Sequence, residues 1–350
     1  LREKVNATCY HIFRFNPTDS EECLPDDARR PSSRRASARW LLLLLGFTLL
    51  GLLIYKIGPA DMLAAWRQAH KANIAIAAAV FIFALVVRGI KWQLFLAVTP
   101  TPVSYIKATR AYVYNSFFAN LTPGRSGEVF APIWLSRHGV STATSYAIVV
   151  IDRMLDMLVV LCLFALSVAN LGRLAPTESA MYRTAGLTAG LLVLAGLTVL
   201  LFMLIRLDLA IAFLARFHGR LATRLRDALA TFRDAVAQFG RRSLLAINLG
   251  ITLITWLLDV TCNYLVVGSL MPELTWTDSV TASMFAIAAA LASFIPGGIG
   301  AGALGYTAVL TLIGYDPVLA GAGAVLNTMM VQATRASVVG VFALTAGKKS

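Results

Sequence analysis

Charged residues are scarce in this chain, because Asp, Glu, Lys and Arg together make up only 14% of its 350 residues. Average soluble domains contain about 25% charged residues, so an ordinary soluble domain is excluded. Cysteine and histidine are also scarce, with four of each, and they show no CxxC pair or metal-ligand spacing. The histidines lack a partnered acid and nucleophile. The sequence therefore predicts no zinc site, no disulfide framework, no catalytic triad and no cofactor.

A nucleic-acid-binding module is also missing, despite a formal net charge of +13. The Lys and Arg residues flank apolar segments, and no basic patch with interleaved aromatic residues is visible. Positive residues beside membrane spans are typical of cytoplasmic loops near anionic lipids. The expected partners are therefore membrane lipids and not nucleic acid.

Apolar residues, in contrast, make up 58% of the chain. They occur in long runs, and about 20 such residues are enough to cross a bilayer as a helix. The pattern predicts an all-α fold, a polytopic membrane helical bundle with six spanning helices. The predicted spans lie near residues 40–55, 73–98, 143–170, 184–205, 243–270 and 317–346.

The predicted domain organisation follows from composition and charge. Residues 1–39 mix Pro, Ser, acidic residues and Arg without helical periodicity, which predicts a disordered cytoplasmic arm. Residues 40–346 form the predicted transmembrane domain, with halves at about 73–206 and 243–346. Between the halves, residues 207–242 carry seven arginines interleaved with apolar residues, which predicts a basic amphipathic helix. The arginine clusters place this helix and both termini in the cytoplasm.

Two Pro-Gly sequences interrupt the apolar segments, one beginning at Pro123 and the other at Pro296. Irregular backbone at membrane depth must be buried in protein or line a wet cavity, because lipid cannot satisfy the freed N–H and C=O groups. We therefore expect two broken or re-entrant helical elements, at residues 105–134 and 277–313. Three predicted crossings separate them, and an odd number reverses orientation. The sequence thus predicts an inverted repeat whose broken elements meet near the bilayer midplane.

Charges inside predicted spans need a role, because each costs about 2.5–3.5 kcal/mol on insertion scales. Arg88 either faces an anionic headgroup inside the bundle or anchors its helix, and Lys91 is expected to anchor its helix at the membrane surface. Arg125 and Glu128 either hold a phosphate together with exposed backbone amides or form a structural ion pair. The Pro-Gly-x-x-Gly backbone around them favours function, because an ion pair alone would not require it.

Further polar residues occur in the third, fifth and sixth predicted spans. Asp152 and Asp156 share a helix face, with Arg153 beside them. This network either relays protons or binds a headgroup, or it locks helices together. The second half has its own predicted polar lining: Asp259, Asn263, Asn327, Gln332 and Arg335.

Three motifs carry a resemblance to a known family: Asn120-Leu-Thr-Pro-Gly-Arg-Ser-Gly-Glu128, Asp152-Arg153-x-x-Asp156, and Pro296-Gly-Gly-Ile-Gly300. Together with the run Arg88 to Trp92, they resemble the lysylphosphatidylglycerol synthase transmembrane-region family of flippase-like membrane proteins. The resemblance covers about residues 40–346. It implies a bacterial inner-membrane protein that moves or helps deliver polar lipids, such as aminoacylated phosphatidylglycerol, isoprenoid-linked or hopanoid-type lipids.

The chain departs from the family pattern in its second half. Ala301-Gly302-Ala303 stands where the family usually has a Glu, and Asn327 stands where an Arg is expected. Relatives that synthesise aminoacyl lipids carry a soluble catalytic domain after the membrane region, whereas this sequence stops at Ser350. Synthase activity is therefore not expected.

The expected function is movement of a polar or anionic lipid between leaflets. Arg125 and Arg153 would hold the headgroup, while Glu128 and Asp152 would carry protons or reset charge. The alternatives are a membrane-embedded enzyme that modifies lipid headgroups and a noncatalytic partner of a lipid-synthesis complex. The predicted substrate-binding residues are Arg88, Asn120, Gly124, Arg125, Gly127, Glu128, Asp152, Arg153, Asp156, Gly297, Gly298, Gly300 and Asn327.

Overall fold

The secondary structure of the chain is helical wherever the computed structural model describes it. The prediction of an all-α fold is confirmed for that part of the chain. The described residues are 44–45, 48–101, 103–174, scattered positions between 184 and 198, 206–216, 220–239 and 242–346. The predicted arm 1–39 and most of the predicted span 184–205 lie outside them.

We number the described helices in chain order. They are α1 (Thr48–Ile57), α2 (Pro59–Gln68), α3 (Lys71–Ala97), α4 (Tyr105–Leu121), α5 (Phe130–Ser136), α6 (Thr142–Leu174), α7 (Leu207–Leu214), α8 (Arg220–Phe239), α9 (Arg242–Gly268), α10 (Trp276–Ser293), α11 (Ala301–Leu312) and α12 (Pro317–Ala346). Two short 3₁₀ helices connect α4 to α5 and α10 to α11: Pro123–Val129 and Pro296–Gly298.

Two of the described helices are long and apolar enough to cross a membrane, α3 and the part of α9 at Ser243–Gly268. Helices α1 and α2 meet at a bend of 79°, and the pair adds a third span if it crosses as one unit. At about 1.5 Å per residue, helices of this length exceed the hydrocarbon thickness of about 30 Å. The count of six spans and the inverted repeat stay predictions.

Both predicted breaks are present as a helix, a 3₁₀ turn and a second helix. Proline supplies no N–H to a helix and fixes its own φ. At the first break, Thr122 is extended, with φ −118° and ψ 141°. At the second break, Phe294 has a φ of 52° and Gly297 a φ of 64°. The chain therefore turns in the left-handed region, where glycine is tolerated and phenylalanine is strained.

The predicted basic helix 207–242 consists of two helices, α7 and α8, followed at once by α9. Helix α8 packs against α6 and α7. Its Ala235 and Phe239 are buried in the core, where the Phe239 ring meets the Phe95 ring edge-on at 5.6 Å between centroids. Part of the apolar face of α8 is therefore buried within the protein.

Helix α9 lies at the centre of the described bundle. It packs most extensively against α3, and also against α6, α10 and α12. Small residues allow such close approach between membrane helices. Gly89 of α3 lies directly against the Thr109 side chain of α4, and Gly323 of α12 lies against Val267 of α9. This packing brings charged side chains of α3, α6 and α9 together in the interior.

Candidate functional site

A buried charge cluster joins α3, α6 and the first 3₁₀ helix. The Lys91 ammonium lies 2.7 Å from Asp152 and 3.1 Å from Asp156. The Arg153 guanidinium lies 2.7 Å from Asp152 and 2.9 Å from Asp156, and its Nε lies 3.8 Å from Glu128. Spacing along α6 puts both aspartates on one face, which the Lys91 side chain of α3 contacts. The predicted charge network is thus present.

The expectation that Lys91 anchors α3 at the membrane surface is wrong. Its side chain is only 3% exposed and is held between two carboxylates. Desolvating an ammonium is costly unless it is paired, and the aspartates of α6 provide that pairing. Lys91 is therefore part of the packed interior.

A second ion pair ties α3 to α9. Arg88 lies one turn before Lys91 and donates to both carboxylate oxygens of Asp259 through its two terminal nitrogens, with 3.1 Å from Nη1 to Oδ1. Such two-point pairing with a carboxylate is directional as well as strong. Helix α3 is thus bound by charge to α6 on one side and to α9 on the other.

The charge cluster offers little to an incoming anion. Among the described side chains, its members are two cations, Lys91 and Arg153, and three carboxylates, Asp152, Asp156 and Glu128. A phosphate at Arg153 would have to displace carboxylates that already neutralise it. This geometry favours the helix-locking alternative for the aspartates.

The first broken element is tightly packed at Gly127. The Thr122 hydroxyl accepts a hydrogen bond from the Gly127 N–H at 2.6 Å, and a Cβ at Gly127 would collide with the backbone of Phe118. Gly127 therefore has a packing role. The side chains of residues 123–125 are outside the described part, so the predicted roles of Gly124 and Arg125 stay predictions.

The second broken element lies against the end of the first. A Cβ placed on Gly297 would lie 3.0 Å from the Asn120 carbonyl oxygen and 3.3 Å from Nε2 of Gln332. The two 3₁₀ helices also contact each other. Gly298 and Gly300 have φ of 63° and 83°, so this turn is built on left-handed glycines. The expectation that the two breaks approach one another is confirmed, whereas their relation to the bilayer midplane stays a prediction.

A cavity of about 260 Å³ lies beside this junction. Helices α9, α10, α11 and α12 form most of its wall, with Phe81 of α3 and the end of α4 completing it. Gly297, Gly298 and Gly302 contribute backbone without side chains. The amide and charged side chains that line the cavity are Asn120, Asp259, Asn263, Asn327, Gln332 and Arg335.

Hydrogen bonds fix several of these polar side chains. The Asn327 amide nitrogen donates to Oδ1 of Asn263 at 2.9 Å, and the Asn263 amide nitrogen donates to the Ser283 hydroxyl at 2.9 Å. Arg335 donates to Oε1 of Gln332 at 2.8 Å, and its guanidinium lies 5.4 Å from the centre of the Phe81 ring. Several polar side chains of the otherwise largely apolar cavity wall are therefore held in fixed positions.

The structure divides the predicted site residues between two places. Asn120, Gly297, Gly298 and Asn327 line the cavity. Glu128, Asp152, Arg153 and Asp156 form the charge cluster, which is separate from the described cavity lining. Arg88 is in neither group, but it is paired with Asp259, which lines the cavity. Gly300 directly precedes α11.

Most of the polar side chains that line the cavity come from the second half of the chain. Asp259, Asn263, Gln332 and Arg335 were predicted as polar lining, but they were left out of the predicted binding residues. Trp256 was missed altogether, because a tryptophan in an apolar run looks like core. A signal was available, since Trp256, Asp259 and Asn263 follow helical spacing and so share a face of α9.

Within the described part of the chain, no group of three or more His, Cys, Asp or Glu side chains could hold a metal ion. Apolar helices long enough to span a bilayer, with buried ion pairs and a polar cavity at two helix breaks, define an integral membrane protein of the helical class.

The chain belongs to the family described as the lysylphosphatidylglycerol synthase TM region, whose model matches residues 39–332. The resemblance inferred from the sequence motifs is thereby confirmed. The chain is also similar to UPF0104 membrane protein PH1989 of Pyrococcus horikoshii. The identity is 24% over 301 residues, which cover 81% of this chain and 89% of that protein.

Proposed function

We propose that this protein moves a lipid with a polar or anionic headgroup between the two leaflets of a membrane. The observation that carries the proposal is the cavity, which places amides, a carboxylate and a guanidinium among predominantly apolar helices. Polar groups at membrane depth are costly and mark pathways for polar substrates. Membership of a family named for lipid synthesis supports a lipid-related role.

The size of the cavity suits a headgroup without its tails. Its volume of about 260 Å³ is slightly smaller than that of typical small-molecule sites, which range from about 300 to 1,000 Å³. The acyl or isoprenoid chains would stay in the surrounding lipid. Only the polar part of the substrate would then need a protein environment while it crosses.

Two kinds of helix packing suggest which parts move. Ion pairs bind α3 to α6 and α9, so separating these helices would leave buried charges unpaired. Helix α12, in contrast, meets α9 through Gly323 against Val267, while within the second broken element Gly305 of α11 packs against Ala289 of α10. We propose that the second broken element and α12 shift against a fixed α3–α6–α9 framework. This movement would open the cavity to each leaflet in turn.

The residue roles follow from this geometry. Arg335, Gln332 and Asn327 would contact the headgroup, because they line the cavity. Arg153 and Lys91 would hold the framework, because carboxylates already neutralise them. A proton-carrying role for Glu128 or Asp152 would require breaking these pairs.

The proposed location is a bacterial inner membrane, with both termini in the cytoplasm. The arginine distribution supports this orientation through the positive-inside rule. Two other functions predict different results in the same assay. An enzyme would alter the headgroup chemically, whereas a noncatalytic partner of a lipid-synthesis enzyme would change neither the position nor the chemistry of the lipid.

The test is lipid movement in proteoliposomes that contain the full chain. Fluorescent phospholipid and isoprenoid-phosphate probes would be placed in both leaflets, and the outer pool would be quenched with a membrane-impermeant reductant. We expect the protein to expose the inner pool faster than protein-free liposomes do. Asn327→Leu should slow this movement about fivefold to tenfold, since it removes about one neutral hydrogen bond, or about 1 to 1.4 kcal/mol, from the site.

Asn248→Leu is the matched control. Asn248 is fully buried in α9, donates to the Leu244 carbonyl of its own helix, and lies outside the described cavity lining. We expect it to retain wild-type transport. Equal transport rates of the two variants would show that the cavity is not part of the transport pathway. If the wild-type protein moves every probe no faster than protein-free liposomes do, lipid movement is refuted.

A further inference from the structure

Among the solvent-shielded polar atoms of the residues that line the cavity, the indole Nε1 of Trp256 and the amide Oδ1 of Asn327 have no hydrogen-bond partner among the described residues. Buried polar atoms are nearly always paired, and each exception requires an explanation. The indole nitrogen can only donate and the amide oxygen can only accept. A ligand that satisfies both must therefore carry a donor and an acceptor.

The surrounding hydrogen bonds fix the accepting role of Asn327. Its amide nitrogen donates to Asn263 at 2.9 Å, and Asn263 in turn donates to Ser283 at 2.9 Å. This directed chain leaves Oδ1 of Asn327 as an acceptor without a partner among the described residues, and because the atom is shielded from solvent, a ligand would have to displace part of the wall to reach it. Trp256 and Asn263 lie on one face of α9, and Asn327 lies on α12. The unpaired donor and the unpaired acceptor therefore come from different helices of the same wall.

Asp259 adds a second acceptor between Trp256 and Asn263 on the α9 face. Its carboxylate lines the cavity and keeps 27% of its side-chain surface exposed while it is paired with Arg88. A carboxylate with free lone pairs accepts hydrogen bonds and repels anions. This part of the wall thus favours ligand groups with O–H or N–H donors.

We propose that the cavity binds the hydroxyl groups of a lipid headgroup, of the glycerol or sugar type. A hydroxyl both donates and accepts, so hydroxyls can pair with Trp256, Asn327 and Asp259 together. An ionised phosphate only accepts, so it could pair with Trp256 and Arg335, but it would leave Oδ1 of Asn327 unpaired and put an anion beside Asp259. An ammonium only donates, and in a phosphoethanolamine headgroup the acceptor for Trp256 would have to be the phosphate, which again puts an anion beside Asp259. The inference deepens the proposed lipid transport by naming the recognised chemistry.

Binding can be measured by native mass spectrometry of the full chain in an amine-oxide detergent. The headgroup of this detergent has no hydrogen-bond donor, whereas sugar detergents would compete for the site. The probes are a glucosyl diacylglycerol, phosphatidic acid and phosphatidylethanolamine with the same acyl chains. We expect the glucosyl lipid to bind more tightly than the other two. Trp256→Phe should weaken its binding about fivefold, the value of one neutral hydrogen bond.

Trp92→Phe is the matched control. Trp92 also has a shielded Nε1 without a partner among the described residues, but it packs in the core, outside the described lining. The inference is overturned if Trp256→Phe and Trp92→Phe have equal effects. It is also overturned if phosphatidic acid or phosphatidylethanolamine binds as tightly as the glucosyl lipid.

The transport assay separates this inference from the proposed function. A protein that binds the glucosyl lipid selectively but moves no probe between leaflets would refute transport and retain hydroxyl recognition. A protein that moves lipids without preference for hydroxyl headgroups, and whose binding is insensitive to Trp256→Phe, would retain transport and refute hydroxyl recognition.

Discussion

Replacing Lys91 with methionine tests whether the charge cluster holds the framework together. Methionine keeps most of the length of the side chain and removes its charge. In the folded protein, the Lys91 ammonium lies 2.7 Å from Asp152 and 3.1 Å from Asp156, and the exposed fractions of these three side chains are 3%, 1% and 12%. Lys91→Met therefore leaves two shielded carboxylates with one fewer cation.

The expected loss of unfolding free energy is about 3 kcal/mol. Removing one partner of a buried ion pair costs about 3–5 kcal/mol. The lower end applies here, because Arg153 still contacts both aspartates, at 2.7 and 2.9 Å. Adding Asp152→Asn to Lys91→Met removes one of the uncompensated charges. The double variant should therefore be more stable than Lys91→Met alone.

The assay is unfolding of the purified chain in mixed micelles with increasing sodium dodecyl sulfate, followed by circular dichroism. Arg233→Met is the control, because it also removes a positive charge that contacts carboxylates, those of Asp208 and Asp234. Arg233 is, however, on an exposed surface, where ion pairs contribute little. If Lys91→Met is no more destabilising than Arg233→Met, the cluster does not hold the framework.

Three further substitutions test the backbone and the loops. Gly127→Ala should destabilise the protein by about 1–3 kcal/mol, because the added methyl collides with the backbone of Phe118 in the preceding helix. Gly250→Ala is the control, because Gly250 has open space around it; equal unfolding midpoints of the two variants would contradict the packing role of Gly127. Phe294→Gly should raise the unfolding free energy by about 1 kcal/mol, since glycine adopts its φ of 52° without strain; a decrease would show that the ring contributes more than the strain costs. Burial and the neighbouring Asp278 carboxylate raise the pKa of Tyr315, so its hydroxyl stays protonated and donates to that carboxylate at 2.8 Å. Tyr315→Phe should lower the unfolding free energy by about 1–3 kcal/mol in the same assay. An unchanged unfolding midpoint would argue against a stabilising role for this hydrogen bond.

The sequence predicted the helix breaks because their cause is local. Proline removes an N–H and glycine permits left-handed backbone, so both Pro-Gly sequences end a helix whatever surrounds them. The shared face of Asp152 and Asp156 was predictable for the same reason, since it depends only on helix periodicity.

The partners of the charged residues could not be predicted, because they depend on which helices pack together. Arg88 pairs with Asp259, which lies 171 positions away in the chain. Lys91 pairs with aspartates of α6. Without these partners, the lowest free energy for its charge would be at the membrane surface, which is why the sequence predicted a surface position. Helical periodicity shows which residues share a face, but it does not show which helix lies opposite.

The position of the cavity was missed for a similar reason. Arg125, Glu128 and Arg153 stood out because charge and Pro-Gly motifs coincide there. The cavity instead lies where α9, α10, α11 and α12 leave a gap, and a gap depends on side-chain volumes from several helices. Trp256 faces it from within an apolar run, where sequence alone indicates only core.

Lipid movement between leaflets is tested by its rate in proteoliposomes. The quantity to measure is the inner-leaflet fraction of a fluorescent lipid that becomes accessible to an impermeant quencher, as a function of protein per vesicle. We expect a rate that rises with protein content and falls about fivefold to tenfold in Asn327→Leu but not in Asn248→Leu. A rate that stays at the protein-free value for phospholipid, glycolipid and isoprenoid-phosphate probes would contradict this expectation.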